Sequence, residues 1–359
     1  MPRKLASIKR ISALMPIKGK DRILLAEVDG WNVIVKKDEF QVGDLCVYIE
    51  IDSVLPETEQ FEFLRSKKFR IKTMKMGGVI SQGIVFPLSI LPQGDYQPEQ
   101  DVTDILGVRQ YGETMDVEPE DDTAKYSGKY PAFLMKMKWF RNLVKAEEGS
   151  DEFPDFINKT DEIRIQNSPF YLKIKGPWVA TEKIDGQSGT FFLKKGSRKR
   201  FLLFPSYEFG VCSRNRRLRH PDSSTYWYNA KKYEIEKILK KSIGTMEYLV
   251  IQGECIGPRV QKNKYNVKAP DLYVFNVLTP QGRMGSEEAA QWCAQRGLKF
   301  VPVISTEYFM PDSVQKVLDD AHGPSRIGDT IREGIVFRSK DGKQSFKAVD
   351  PLFLLKYDE

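Results

Sequence analysis

Thr181-Glu182-Lys183-Ile184-Asp185-Gly186-Gln187-Ser188-Gly189 sets one lysine inside a short apolar run, with Asp two residues later and then Gly. Burial or nearby cations lower the pKa of a lysine and turn its amine into a nucleophile. Gly186 lets the backbone turn tightly and lets a phosphate approach it closely. A lysine so placed can attack the α-phosphate of a nucleotide and hold the nucleotide covalently. Taken alone, Lys-x-Asp-Gly also describes an ordinary Asp-Gly turn, so the reading depends on the sequence around it.

Downstream, further elements follow in order. Val211-Cys212-Ser213-Arg214-Asn215 comes after an expected strand at Phe201-Leu202-Leu203-Phe204. Ile251-Gln252-Gly253-Glu254-Cys255-Ile256-Gly257 places one carboxylate within an apolar strand, and Leu272-Tyr273-Val274-Phe275-Asn276-Val277 reads as a buried strand. Arg332-Glu333-Gly334-Ile335-Val336-Phe337-Arg338 places a second carboxylate beside another apolar strand, and Ser345-Phe346-Lys347-Ala348-Val349 comes last. A buried carboxylate without a partner is costly, so Glu254 and Glu333 need a cation or hydrogen bonds. A structural salt bridge is the plain alternative for each. Helices are expected at 227–243, with Tyr233, Ile235, Ile238 and Leu239 on the apolar face, and at 286–296 and 312–321, with Ser286 and Asp312 as N-caps.

Roughly the first 100 residues read as β. Short apolar or alternating runs at 22–28, 31–36, 45–51 and 83–86 are separated by turn signals, Asp29-Gly30 the clearest. Such spacing suits a small barrel; an OB-fold is one answer, an SH3-like or other barrel another. Residues 116–129, including Asp116-Val117-Glu118-Pro119-Glu120-Asp121-Asp122, are acidic and poor in apolar residues and read as a linker. The expected division is therefore an OB-like domain at 1–115, the linker at 116–129 and a second domain at 130–359.

With 41% hydrophobic and 29% charged residues, the composition is that of an ordinary globular protein. No apolar run of membrane-spanning length and no N-terminal signal segment is present, so neither membrane insertion nor secretion is expected. The four cysteines are widely spaced without a Cys-x-x-Cys pair and there are two histidines, His220 and His322, both read as incidental; a zinc site is disfavoured, and a cytoplasmic or other reducing compartment fits. The net charge of +7 suits a polyanionic partner. Basic clusters at 65–72, 194–200, 214–219 and 259–264, interleaved with Phe69, Phe201 and Tyr265, point to nucleic acid rather than to a merely solvated face.

The order of Lys-x-Asp-Gly, Gly253-Glu254, the strand with Phe275, Glu333-Gly334-Ile335-Val336 and a final Lys347 resembles the covalent nucleotidyltransferases, the ligases and capping enzymes that work through a lysyl-nucleotide. The Ser213-Arg214-Asn215 form and the upstream Thr160-Asp161-Glu162-Ile163-Arg164-Ile165-Gln166-Asn167 look more specifically like ATP-dependent RNA ligases, in the branch with an N-terminal OB domain and no C-terminal OB domain. Twelve residues follow Lys347, too few for the further OB domain usual in capping enzymes and DNA ligases.

The resemblance implies an α+β chain: an OB-like β-barrel, then an adenylation domain of antiparallel sheets with flanking helices. It implies Lys183 as nucleophile on ATP, and Asp185, Glu254 and Glu333 around Mg²⁺ or Mn²⁺ through water. Lys347 would offset charge in the transition state. Glu182 would accept from the adenine amino group, Phe275 would stack on the purine, and Ile184, Gly186, Arg164, Arg214 and Lys356 would complete the nucleotide site. Metal and basic neighbours are expected to lower the Lys183 pKa. RNA contacts are expected at Arg214, Arg216, Arg217, Arg65, Lys67 and Arg70. The implied substrate is RNA with 3′-hydroxyl and 5′-phosphate ends, with nicked duplex RNA, broken tRNA and an RNA/DNA hybrid all open, sealed by a monomer through lysyl-AMP and adenylated RNA. One departure stands out: many relatives end on Lys-x-Lys, whereas here the second position is Val349, and Lys356 is the nearest substitute at the wrong spacing for the same strand face. The alternatives are a guanylyltransferase that caps RNA, separated by its preference for GTP, and an inactive nucleic-acid-binding module.

Overall fold

The computed structural model describes residues 3–111, 151–196, 206–218 and 224–357. The expected linker at 116–129, the expected strand at 201–204, Arg198, Lys199, Arg200, Arg219 and His220 lie outside the described residues. The chain packs as two compact units, the first holding residues 3–111 with 166–169 and 351–357, the second holding 151–165 and 170–350 among those described. Residues 166–169 and 351–357 fall within the range expected for the second domain but pack with the first unit.

The first unit is built on five antiparallel strands: β1 (Ala6–Ile17), β2 (Lys20–Val28), β3 (Trp31–Lys36), β4 (Leu45–Ile49) and β5 (Ile84–Pro87), in the order β3-β2-β1-β4-β5. Strand β1 serves two neighbours with different parts of its length, Ala6–Arg10 pairing with β4 and Ile11–Ile17 with β2. A register shift between Ile11 and Ala13 marks the change, which is how a bulge curls a sheet. Asp29 and Gly30 both have positive φ, 48° and 81°, as a two-residue hairpin connection twisted to match its strands requires. The core of Ile8, Ile11, Val28, Trp31, Val33, Val47, Ile49 and Phe61 is continuous, and the Trp31 indole N–H donates to Asn167 Oδ1 at 2.9 Å. Asn167 Nδ2 in turn donates to Glu50 Oε1 at 2.6 Å, tying the 166–169 segment into this unit.

The second unit holds two sheets, antiparallel apart from one short parallel pairing in the larger, Tyr273–Val274 with Lys299–Phe300. The smaller comprises β6 (Trp178–Lys183), β13 (Val303–Tyr308), β14 (Gly334–Ser339) and β15 (Ser345–Val349), in the order β13-β6-β14-β15. The larger is eight-stranded and centres on β7 (Gln187–Lys195), β8 (Tyr207–Cys212), β9 (Arg216–Leu218), β10 (Tyr248–Ile256), β11 (Asp271–Thr279) and β12 (Gly282–Arg283). On the larger sheet pack α1 (Thr225–Lys232), α2 (Ile235–Ser242) and α3 (Ser286–Ala294), through Ala230, Ile235, Leu239, Ala289 and Cys293. On the smaller packs α4 (Val314–Ala321), through Val317, Leu318 and Ala321.

Three helix expectations are corrected. The single helix over 227–243 is two, because Glu234 takes left-handed φ and ψ of 47° and 41°, a break that periodicity does not register. The N-cap of α3 is Gly285, not Ser286, whose side chain is buried. The N-cap of α4 is Ser313, whose hydroxyl accepts from the Lys316 N–H, not Asp312.

Candidate active site

Strand β6 ends at Lys183 in one sheet and β7 begins at Gln187 in the other, so the Ile184-Asp185-Gly186 turn is the crossing between sheets. The lysine motif is thereby forced into the cleft that separates them, about 420 Å³ in volume. Its lining includes Glu182, Lys183, Ile184, Asp185, Gly186, Arg214, Glu254, Phe275, Glu333 and Lys347. Ten residues picked from sequence thus converge on one cavity.

Strand register explains the closest pair. Lys183 lies opposite Gly334, which brings the preceding Glu333 beside it, and Lys183 Nζ is 2.7 Å from both carboxylate oxygens. Burial pushes the ammonium pKa down, but the attraction of Glu333, Glu254 and Asp185 outweighs it, so the pKa is raised. Carboxylates rather than basic residues surround the amine, so the expected lowering would fall to the bound metal. The Glu254 carboxyl is driven up to about 8, first by burial and then by the charges of Glu333 and Asp185, against the pull of Lys183 and of the Gly186 N–H, which donates to it at 3.0 Å. Glu333 is likewise raised by burial, Lys183 opposing.

Gly186 is required for a reason other than the expected turn freedom. A Cβ there would lie 2.5 Å from the Cys255 carbonyl oxygen and 3.0 Å from Glu254 Cγ, so it is β10 that comes close. The loop at 257–267 holds the same turn from the side. The Asp185 N–H donates to Tyr265 Oη at 2.8 Å, Lys264 pairs with the Asp185 carboxylate, and Gln261 Nε2 donates to the Gly186 carbonyl at 3.4 Å.

The segment 158–164 straps the two sheets together. Gln252 Nε2 donates to the Asn158 carbonyl at 3.0 Å, Thr160 Oγ1 meets Ser188 Oγ at 3.1 Å, and the Lys347 N–H donates to the Ile163 carbonyl at 2.8 Å. Within it, Glu162 bonds Ser345 and lies 3.3 Å from Arg283 and 3.4 Å from Arg338, one guanidinium from each sheet. Asp161 lies 3.1 Å from both Lys347 Nζ and Arg214 Nη2. Lys347 is pushed down to about 8 by burial, with Arg164 and Lys183 adding to the effect and Asp161 opposing it. Arg164 is buried and bridges Lys347 along the backbone. Asp161, Glu162, Arg338, Lys264 and Tyr265 stand in or beside segments singled out in the sequence, yet none had been given a role at this site. The first two sit in the quoted 160–167 motif, which was the signal available.

Several expected residues are placed differently. Glu182 lines the cleft, yet at 1% exposure its carboxylate already accepts from Ser325 Oγ at 2.5 Å and the Arg326 N–H at 2.8 Å, anchoring a loop. Lys356 is exposed on α5 (Pro351–Tyr357), a part of the first unit, with its ammonium over the Tyr357 ring. Arg70 is buried between Asp52 and the Tyr111 ring, Arg65 is tied to Glu62, and Arg217 to Glu208, whereas Lys67 and Arg216 are exposed. Among the described residues no three Asp, Glu, His or Cys side chains converge to ligate one ion directly. The oxygen-only donors Asp185, Glu254 and Glu333 still suit a hard divalent cation, held through water or phosphate oxygens. No described helix is long and apolar enough to cross a membrane.

An OB-fold domain profile matches residues 5–88, and an RNA ligase profile matches residues 176–357, half of the chain. No curated protein matches. Among solved structures, the chain is similar to an RNA ligase of Naegleria gruberi with PPi, at 30% identity and a TM-score of 0.80, covering 99% of both chains. Mutants of that ligase with AMP and Mn, and with ATP and Mn, match at 29% and 28% identity, each with a TM-score of 0.80 and 99% of both chains covered. The lysine turn between two sheets, the profile over residues 176–357 and the likeness over nearly the whole length agree, and the chain belongs to the RNA ligase family.

Proposed function

We propose that this RNA ligase uses ATP and a divalent cation, Mg²⁺ or Mn²⁺, to join RNA 3′-hydroxyl and 5′-phosphate ends in three steps. Lys183 Nζ attacks the α-phosphorus of ATP, forming a phosphoramidate and releasing pyrophosphate. The RNA 5′-phosphate then displaces the lysine to give a 5′-5′ adenylated end, and a 3′-hydroxyl displaces AMP. The observation that carries this reading is Lys183 held 2.7 Å from both oxygens of Glu333, inside a cleft that also gathers Glu254, Lys347, Arg214 and Phe275.

Lys183 must lose a proton to attack, and Glu333, with its pKa raised, is within reach to take it. Lys347 and Arg214, from opposite sheets, suit the phosphates, and Phe275 suits the purine face. Bound metal would offset phosphate charge and weaken the carboxylates' hold on the ammonium, with Asp185, Glu254 and Glu333 around it through water. The N-terminal OB unit is assigned to gripping RNA through Lys67 and its neighbours, with 116–129 as linker; nicked duplex or RNA/DNA hybrid is the substrate, sealed by a monomer. All four cysteines are free and buried, which supports a reducing compartment.

The test is transfer of label from α-labelled ATP or GTP to the protein with Mg²⁺ or Mn²⁺, run beside Lys183→Ala. Label from ATP, lost in the variant, is the expected result. Label that persists in Lys183→Ala, or comes from GTP alone, would refute the assignment.

A further inference from the structure

Asp161 makes an unusual pair of contacts for a carboxylate in a phosphate-handling cleft. One oxygen lies 3.1 Å from Lys347 Nζ on β15 and the other 3.1 Å from Arg214 Nη2 in the turn between β8 and β9. A single anion therefore spans an ammonium from one sheet and a guanidinium from the other, as two oxygens of one phosphate would. Buried Arg164, bridging Lys347, adds positive charge to the same spot. The two neighbours in sequence behave differently. Glu162 is fixed by Ser345, Arg283 and Arg338, whereas Asp161 has 49% of its side chain exposed, so its carboxylate can turn outward while the backbone stays anchored.

We infer that Asp161 is an internal stand-in for phosphate, whose carboxylate competes with phosphoanhydride oxygens for Lys347 and Arg214. The inference rests on the reading of those two residues as phosphate-binding. Its consequence is directional: Asp161 weakens the hold on pyrophosphate, returns to both cations as pyrophosphate leaves, and so favours forward transfer of AMP to Lys183. A merely structural Asp161 would act with the opposite sign, since its loss would loosen the strap and weaken anion binding.

The experiment is calorimetric titration of the full chain with inorganic pyrophosphate, without metal, at pH 6. Lys347, depressed to about 8 with Asp161 beside it, carries its proton at this pH. Asp161→Asn is expected to bind pyrophosphate roughly fivefold more tightly, the scale of one half-exposed ion pair. Asp161→Glu should restore wild-type affinity, and Lys347→Met and Arg214→Met should bind more weakly. In a Lys347→Met, Arg214→Met background the effect of Asp161→Asn should vanish. Unchanged or weaker binding by Asp161→Asn, with Lys347→Met still impaired, would overturn the stand-in and leave the phosphate reading intact. Unchanged binding by both Lys347→Met and Arg214→Met would remove the phosphate reading itself, and the inference with it.

Discussion

Glu254→Gln should make this protein more stable while removing its activity, and the gain should depend on pH in a defined way. The Glu254 carboxyl is raised from 4.5 to about 8, chiefly by burial and then by the charges of Glu333 and Asp185. A carboxyl with a raised folded pKa holds its proton in the native state after the unfolded chain has released it. Stability therefore falls as pH rises from 4.5 and levels off above about 8. A shift of that size corresponds to ~5 kcal/mol at most, and solvent reaching the part-exposed carboxyl reduces it to ~2–3 kcal/mol. Glutamine is neutral throughout, matches the shape, and its oxygen still accepts from the Gly186 N–H. The assay is chemical denaturation of both proteins from pH 5 to 9, followed by a probe of the second unit, with Lys183 label transfer alongside. The variant's advantage should be small at pH 5, grow steadily and flatten above pH 8. An advantage that is absent, or independent of pH, would show that Glu254 ionises normally and that its burial does not hold the proton.

Other consequences can be checked separately. Anion binding that depends on Lys347 should be strong below pH 8 and fade above it, because this ammonium, lowered to about 8 by burial, loses its proton there; pyrophosphate affinity measured from pH 6 to 9.5 reads this directly. Gly186→Ala places a Cβ 2.5 Å from the Cys255 carbonyl, so adenylation should drop by an order of magnitude or more and the melting temperature should fall, the mark of a close strand contact rather than of turn freedom. Glu162→Gln leaves the guanidinium of Arg338, 3% exposed, without its carboxylate, and should cost ~3–5 kcal/mol in denaturant unfolding of the second unit. Lys67→Glu should weaken RNA binding at low salt and leave label transfer to Lys183 unchanged, as expected of an exposed residue outside the cleft.

The motif residues were legible because their chemistry constrains type and order along the chain. A lysine before Asp-Gly, carboxylates beside apolar strands and a final lysine could be read from sequence, and so could the strands at 31–36 and 45–49 and the Asp29-Gly30 turn. Other features could not, because they depend on which strands become neighbours. The Lys183–Glu333 pair follows from the register of β6 on β14, across 150 residues of chain. That register surrounds the amine with carboxylates, whose attraction raises its pKa. Asp161 and Glu162 stand in a quoted motif, but their partners emerge only when the strap sets each between cations from two different sheets. Glu182 looked available to a ligand until a loop far along the chain supplied its donors. The sequence by itself determined which groups could do the chemistry, since residue identity sets charge and nucleophilicity. Tertiary structure alone decided which of those groups are paired, buried or exposed, since burial and Coulombic attraction depend on distances that spacing along the chain does not encode.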